Sequence, residues 1–383
     1  MDARPESLTF PGKLEQIATR IAFFVVGFAV GAWAPLIPLI KARLSLDEAQ
    51  LGALLLCLGF GSIIAMPFSG GWAAKFGCRK VILAAAAGAL VSLPVMASGS
   101  TQALVAVALF VFGGAIGVMD VTMNIQAVIV EKASGKAMMS GFHGLYSVGG
   151  FVGAGGVTGM LLLNLSPSFS AVAIVVIAAL VLVGFVRGLL TYGSHEDTPP
   201  FAIPKGKILL IGVLCFIVFL AEGSVLDWSG VFLTSVRNLD EARSGLGYAA
   251  FAITMTIGRL TGDKIVAALG AKRILVFGGL IAAFGFLLAV AIPSWIIGIL
   301  GFALVGVGAA NVVPVLFTAA GNQTKIPANL AIAGVTTLGY AGILAGPAMI
   351  GFLARATSLT LAISVVAILL LAVTLSAKTA SQT

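Results

Sequence analysis

The sequence predicts an all-α membrane protein: twelve transmembrane helices in two six-helix bundles. Composition carries the first part of this. Of 383 residues, 60% are hydrophobic, and 22 Lys+Arg with 14 Asp+Glu make only 9% charged, against about 25% in a soluble domain. Spacing carries the second part. A helix needs about 20 apolar residues to cross a bilayer, and with a short loop each unit takes about 30, so the chain divides into about twelve. An internal repeat, described below, carries the third. Together they exclude a soluble globular enzyme, a disordered chain and a DNA-binding domain. The net charge of +8 is scattered between apolar runs, so it does not point to nucleic acid. The runs are continuously apolar, whereas a barrel would alternate over ten-residue segments.

The expected spans are 17–40, 50–70, 81–98, 102–130, 138–163, 169–190, 208–233, 244–262, 274–292, 295–318, 329–352 and 358–377. Residues 1–16 are polar and mixed in charge, and the first apolar run is too long for a signal h-region, so no cleavable signal is expected. The longest polar stretch, Thr191 to Lys207, divides the chain into an N-terminal bundle (1–190), a linker (191–207) and a C-terminal bundle (208–383). With the N-terminus inside, sixteen Lys and Arg fall on inner segments and five on outer ones. The positive-inside rule then places both termini in the cytoplasm. Cys57, Cys78 and Cys215 form no CxxC, so metal and redox motifs are absent.

The halves match at an offset of 193. Phe76 to Leu83 (FGCRKVIL) lies over Leu269 to Val276 (LGAKRILV), with Gly77 on Gly270, Arg79 on Lys272 and Lys80 on Arg273. Gly113 falls on Gly306, and Gly141, Gly149 and Gly153 fall on Gly334, Gly342 and Gly346. A parallel six-plus-six repeat relates two bundles by an axis along the membrane normal and leaves a central cavity between them.

The inner loop between spans two and three reads GGWAAKFGCRK, Gly70 to Lys80. It resembles the signature loop of the major facilitator superfamily, roughly G-x-L-A-D-R-x-G-x-R-R. Gly70, Lys75, Gly77, Arg79 and Lys80 match, and Ala74 stands at the acidic position. The second copy runs from Gly258 to Arg273, with Asp263 about one turn earlier. The resemblance implies the superfamily fold, a bacterial inner-membrane location, a monomer, and a cytoplasmic gate built from Lys75, Arg79, Lys80, Arg259, Asp263, Lys272 and Arg273. Three further segments, Asp120 to Gln126, Met139 to Gly150 and Glu222 to Ser229, look like a bacterial group near the fucose permeases. Those are sugar–proton symporters with an acid in the fourth helix, a role Asp120 is placed to fill.

An ionisable group inside the hydrocarbon core is costly unless it faces a cavity or a partner, so each one is a candidate. Asp120 lies eleven residues before Glu131, or ~16 Å deep at 1.5 Å per residue. Asn124 shares its helix face at i+4, near Gln126. Counting from Lys136 in span five, His143 is ~10 Å deep and Tyr146 ~15 Å. These depths pair Asn124 with His143 and Asp120 with Tyr146 in an expected polar cluster between spans four and five. The competing reading is a structural network. Glu222 in span seven is a second proton candidate, ~22 Å from the inner side. Asp227, five residues on, is about 140° around the helix and not expected to share its site. Asp227 and Trp228 fall near the outer interface, where Trp is an anchor. Arg259 is expected near the inner end of span eight, one turn before Asp263, as a gate or helix-end salt bridge; a substrate-carboxylate contact, which suits Arg chemistry, is the alternative. Trp33, in a first helix that Pro35 and Pro38 kink or end, and Asn311, near Pro314, are candidates for lining the vestibule.

The glycines of spans five and eleven read as close packing. Gly342 to Pro347 loosely resembles the glycine–proline signature of drug–proton antiporters, but in span five, where that signature belongs, Ala154 replaces the Pro. No nucleotide loop and no catalytic motif is present, which argues against a pump, an enzyme and any cofactor. The expected function is proton-coupled uptake of a small polar solute, such as a sugar or related metabolite, by alternating access. Candidate coupling groups are Asp120 and Glu222, and candidate substrate contacts are Asn124, Gln126, His143, Tyr146, Asn311, Trp33, Asp227 and Trp228. Efflux of a drug or metabolite by proton antiport is the alternative.

Overall fold

The computed structural model describes residues 11–135, 138–193, 206–322 and 328–381. Among these, the regular secondary structure is entirely helical. In chain order the helices are α1 (Lys13–Trp33), α2 (Leu36–Arg43), α3 (Glu48–Phe76), α4 (Cys78–Ser98), α5 (Gln102–Ser134), α6 (Met139–Leu162) and α7 (Pro167–Gly184). There follow α8 (Lys207–Ser235), α9 (Leu246–Leu260), α10 (Gly262–Leu269), α11 (Ala271–Ala291), α12 (Trp295–Ala309), α13 (Val312–Asn322), α14 (Ala328–Ala356) and α15 (Leu359–Ser381).

Eleven stretches of the described residues are long and apolar enough to cross a membrane. The twelfth span is α9 with α10, divided at Thr261 and therefore too short in either piece. Span one breaks between Trp33 and Leu36, where Pro35 ends the hydrogen-bond ladder. Span ten breaks at Ala310–Asn311. The break in span one falls where Pro35 and Pro38 lead a kink to be expected, whereas the divisions of spans eight and ten depart from the expected spans.

The repeat recurs as geometry. Gly77 and Gly270 hold φ/ψ of 82/152° and 77/155°, a region open essentially to glycine alone. Each is followed by a 21-residue helix, α4 or α11. Gly113 meets the Leu58 carbonyl, and Gly306 meets the carbonyl of Phe251, at the matching position of the second half. Arg43 donates to the carbonyls of Met96 and Ala97 at the end of α4. Arg237 does the same for Ala289 and Val290 of α11. A cation at a helix C-terminus satisfies carbonyls that have no partner within the helix.

Within the first half, α6 packs on α1 rather than on α5. A Cβ on Gly27 or Gly31 would run into the α6 backbone, and one on Gly149 or Gly153 into the α1 backbone. Small residues let two helix backbones come this close. Spans four and five therefore barely meet, and the expected cluster does not form by direct packing of one on the other.

The halves are drawn together at the face carrying residues 44–47, 236–245 and 357–358. There Gly52 packs on Gly351 and Ala348, Pro38 on Gly230, and Gly245 on Pro35 and Thr158. Ser244 Oγ donates to the Pro35 carbonyl at 3.1 Å, and Arg355 forms an ion pair with Asp47. The Asp47 carboxyl also accepts from the Gln50 backbone N–H at 2.8 Å, capping α3. That N–H, and after it the Arg355 guanidinium, hold the Asp47 carboxyl below its ordinary pKa. The favourable contribution of a depressed carboxyl is complete above its ordinary pKa and is lost as pH falls from there through the depressed value. Acidifying this face from about pH 7 to pH 5, still above the ordinary carboxylate range, is therefore expected to leave the closed face closed. Cysteine accessibility at position 46, read at both pH values, checks this.

Candidate functional site

The central site is built at the middles of four spans. Asp120 falls near the midpoint of α5, Glu222 near that of α8 and Tyr340 near that of α14. Arg259 ends α9, but α10 continues the span to Leu269. Arg259 thus lies at mid-depth, not at the inner end as its apolar run implied. The inner third of this span is amphipathic, so the hydrophobic stretch stops before the helix does.

Two polar pairs face the gap between the halves. Tyr340 Oη donates to Asp120 Oδ2 at 2.7 Å, joining α14 of the second half to α5 of the first. Arg259 Nη2 donates to both Glu222 carboxylate oxygens at 3.2 Å. Its expected partner Asp263 has a side chain outside the described residues. Tyr146 of α6 lies within electrostatic range of Tyr248, Asp120, Arg259 and Glu222, so the pairs belong to one cluster. Tyr248 of α9 sets its hydroxyl against Gly150 of α6. Asp120, Asn124, Tyr146, Glu222, Arg259 and Tyr340 all keep partial solvent contact, and His143 is exposed. Ionisable groups at this depth that touch both water and each other line a cleft between the halves.

Other expected contacts form differently. Asn124 donates back to the Asp120 carbonyl at 2.8 Å, not to His143. His143 stands edge-on to the Phe23 ring at 5.0 Å. Asp120 takes Tyr340 rather than Tyr146 as its hydrogen-bond partner. Gln126 is fully buried: its amide donates to Thr19 at 2.9 Å and accepts from the Leu190 N–H at 3.0 Å. Gln126 therefore ties α5 to α1 and to the end of span six, and is no cleft residue. Gln126→Ala is expected to lower stability by about 1–3 kcal/mol by stranding the Leu190 N–H, with substrate affinity unchanged; thermal unfolding and binding, measured together, check it. Asn311 donates to the Gly258 carbonyl at 3.1 Å, linking the break in span ten to the break in span eight.

Asp227, five residues beyond Glu222, shares Tyr248 with it as an electrostatic neighbour. It is 7% exposed and faces the Trp33 indole across the closed face. Trp228 is fully buried and so is no interfacial anchor. Of the expected gate residues, Arg79 donates to the carbonyls of Leu189 and Arg187 at 2.9 and 2.7 Å, within its own half. Lys75 sits over the Phe76 ring at 5.3 Å. Lys80, Lys272 and Arg273 make no ion pair among the described residues. Sequence reasoning missed Tyr340 and Tyr248. The signal available was a phenol inside an apolar, glycine-flanked span, where a hydroxyl needs a partner.

Two six-span halves enclosing a charged cleft at mid-depth define a membrane transport protein. The sequence model described as Major Facilitator Superfamily matches residues 20–240, more than half of the chain. An uncharacterised MFS-type transporter of Yersinia pestis is 55% identical over 373 residues, 97% of this chain and 97% of that protein. The nucleoside transporter NupG superposes with a TM-score of 0.77 at 15% identity, covering 97% of this chain and 100% of that one. The Escherichia coli fucose:proton symporter FucP does so with a TM-score of 0.60 at 17% identity, covering 96% and 98%. The chain belongs to the major facilitator superfamily and is a multi-pass membrane transporter. The two structural likenesses carry the fold alone.

Proposed function

We propose that the protein is a proton-coupled secondary transporter that takes up a small polar solute by alternating access. One observation carries this reading: two carboxyls, Asp120 and Glu222, sit at mid-depth in a water-reachable cleft, each held by a partner it can exchange. Asp120 is held across the halves by Tyr340, so protonating it weakens a contact that spans the rocking interface. Glu222 is held by Arg259, so its proton and its partner are linked. The Lys and Arg asymmetry supports cytoplasmic termini, which makes the closed face the outer one and the present state inward-facing. The Yersinia pestis relative supports a bacterial inner membrane. The loop residues Arg79, Lys80, Lys272 and Arg273 steady the opposite state, when the inner ends meet.

The test is flux in proteoliposomes under an imposed pH gradient. Asp120→Asn and Glu222→Gln are each expected to abolish accumulation against a gradient while leaving solute exchange measurable. Full accumulation by both variants would sink the coupling role. Accumulation driven in the reverse sense would make the protein an exporter.

A further inference from the structure

Resting on that reading, we infer that the transported solute is a polyhydroxylated carboxylate, and that its carboxylate takes Arg259 from Glu222 as Glu222 takes up the coupled proton. The bonding of Arg259 points there. Both its bonds to Glu222 come from one nitrogen, Nη2, at 3.2 Å. Its Nε and Nη1 make no hydrogen bond among the described residues, and 28% of the side chain is exposed. A guanidinium is planar, stays charged, and binds carboxylates through two parallel N–H donors. The pair with Glu222 uses neither that fork nor its short distance, so a second carboxylate entering the cleft has better geometry available than the resident one.

Charge then fixes what must accompany the exchange. A carboxylate left in a partly buried site without its cation is strongly disfavoured. Glu222 can release Arg259 only as the neutral acid. The groups in electrostatic range of Glu222 besides Arg259 are Tyr248 of α9, Tyr146 of α6 and Cys215 two turns back on its own helix, none of which is a cation, and His143 of α6 lies in range of Arg259 but not of Glu222. The balance is one anion and one proton entering, with no net change of charge in the cleft. No covalent bond other than the carboxyl O–H is made.

The remainder of the cluster fits hydroxyls. Asp120 and Asn124 offer acceptors, Tyr340 and Tyr146 offer hydroxyls that both donate and accept, and the Tyr340 ring stacks on Phe219 at 6.2 Å as a wall. A cationic head would meet Arg259 at the cleft, and a purely neutral solute would leave unused the Nε and Nη1 donors that have no partner among the described residues.

The experiment is binding to purified protein by calorimetry, with matched sets of six-carbon ligands differing only at C1. Each set holds the aldonate, the alditol and the 1-amino-1-deoxyalditol, on the gluco, manno and galacto skeletons. At least one aldonate is expected to bind tenfold or more tighter than its alditol and amine. It should take up close to one proton per site, read from enthalpies in buffers of different ionisation heat. Glu222→Gln should bind the same aldonate without proton uptake, and Arg259→Gln should lose the preference for the acid. Binding of an alditol or amine in preference to its acid, or binding by no aldonate, overturns the inference. A neutral ligand bound with proton uptake overturns it while the coupling role of Glu222 stands. An aldonate bound with no proton uptake by the wild type overturns the exchange and the coupling together.

Discussion

Arg259→Ala is expected to lose both stability and transport, and a second substitution should separate the two losses. The variant leaves Glu222 in the cleft without its guanidinium. Removing one partner of a buried ion pair costs about 3–5 kcal/mol; Arg259 and Glu222 retain 28% and 15% exposure, which places this pair at the lower end of that range. Adding Glu222→Gln removes the stranded charge, so the double variant should recover most of the lost stability. Transport should stay absent in both, because the single variant lacks the cation and the double variant lacks the proton acceptor as well. Thermal unfolding in detergent reads the first effect, and proteoliposome flux the second. Equal instability of the single and double variants would mean that Arg259 acts by packing rather than by charge.

Gly31→Ala and Gly153→Ala are expected to be among the most destabilising single-methyl additions in the chain. At Gly31 the new Cβ meets the backbone of Gly150, and at Gly153 it meets the backbone of Phe28 and Ala32. Overpacking usually costs about 1–3 kcal/mol when side chains can yield. Here the obstacle is main chain on a neighbouring helix, so the cost should reach or exceed about 3 kcal/mol on the same scale. Gly155→Ala is the control, since nothing lies within 4 Å of its Cβ position; it should be neutral or stabilising by up to about 1 kcal/mol, the helix preference of Ala over Gly. Gly150→Ala tests something else. Its new methyl meets the Tyr248 hydroxyl of the opposite half at 3.2 Å, so it should shift the balance between open and closed states more than the unfolding temperature. Thermal unfolding and sided cysteine labelling distinguish these outcomes.

Much of the architecture was legible because the bilayer imposes one rule on every span. Run length sets the helices, Lys and Arg placement gives a testable orientation, and the Gly77/Gly270 match marks the repeat at its tightest turns. Depth counting also brought Asp120 to the middle of its helix. It failed for Arg259, whose span outlasts its apolar run because α10, which completes it, is amphipathic. It failed for the pairing of spans four and five because chain neighbours need not be spatial neighbours; the glycines that lock α6 to α1 carried that information, but not the identity of their partner. Tyr340 escaped because a phenol barely disturbs a hydrophobicity count. Its role depends on a carboxyl 220 positions earlier.

The ion pair between Asp47 and Arg355 has a practical consequence. The two side chains come from opposite halves, touch at the closed face, and remain 36% and 60% exposed. A short cross-linker joining cysteines at these positions would act as a staple reachable by reagents that never cross the bilayer. The stapled molecule would keep its chamber open to one compartment only. A carrier would become a fixed receptor, whose ligand affinity and proton stoichiometry can be titrated without turnover.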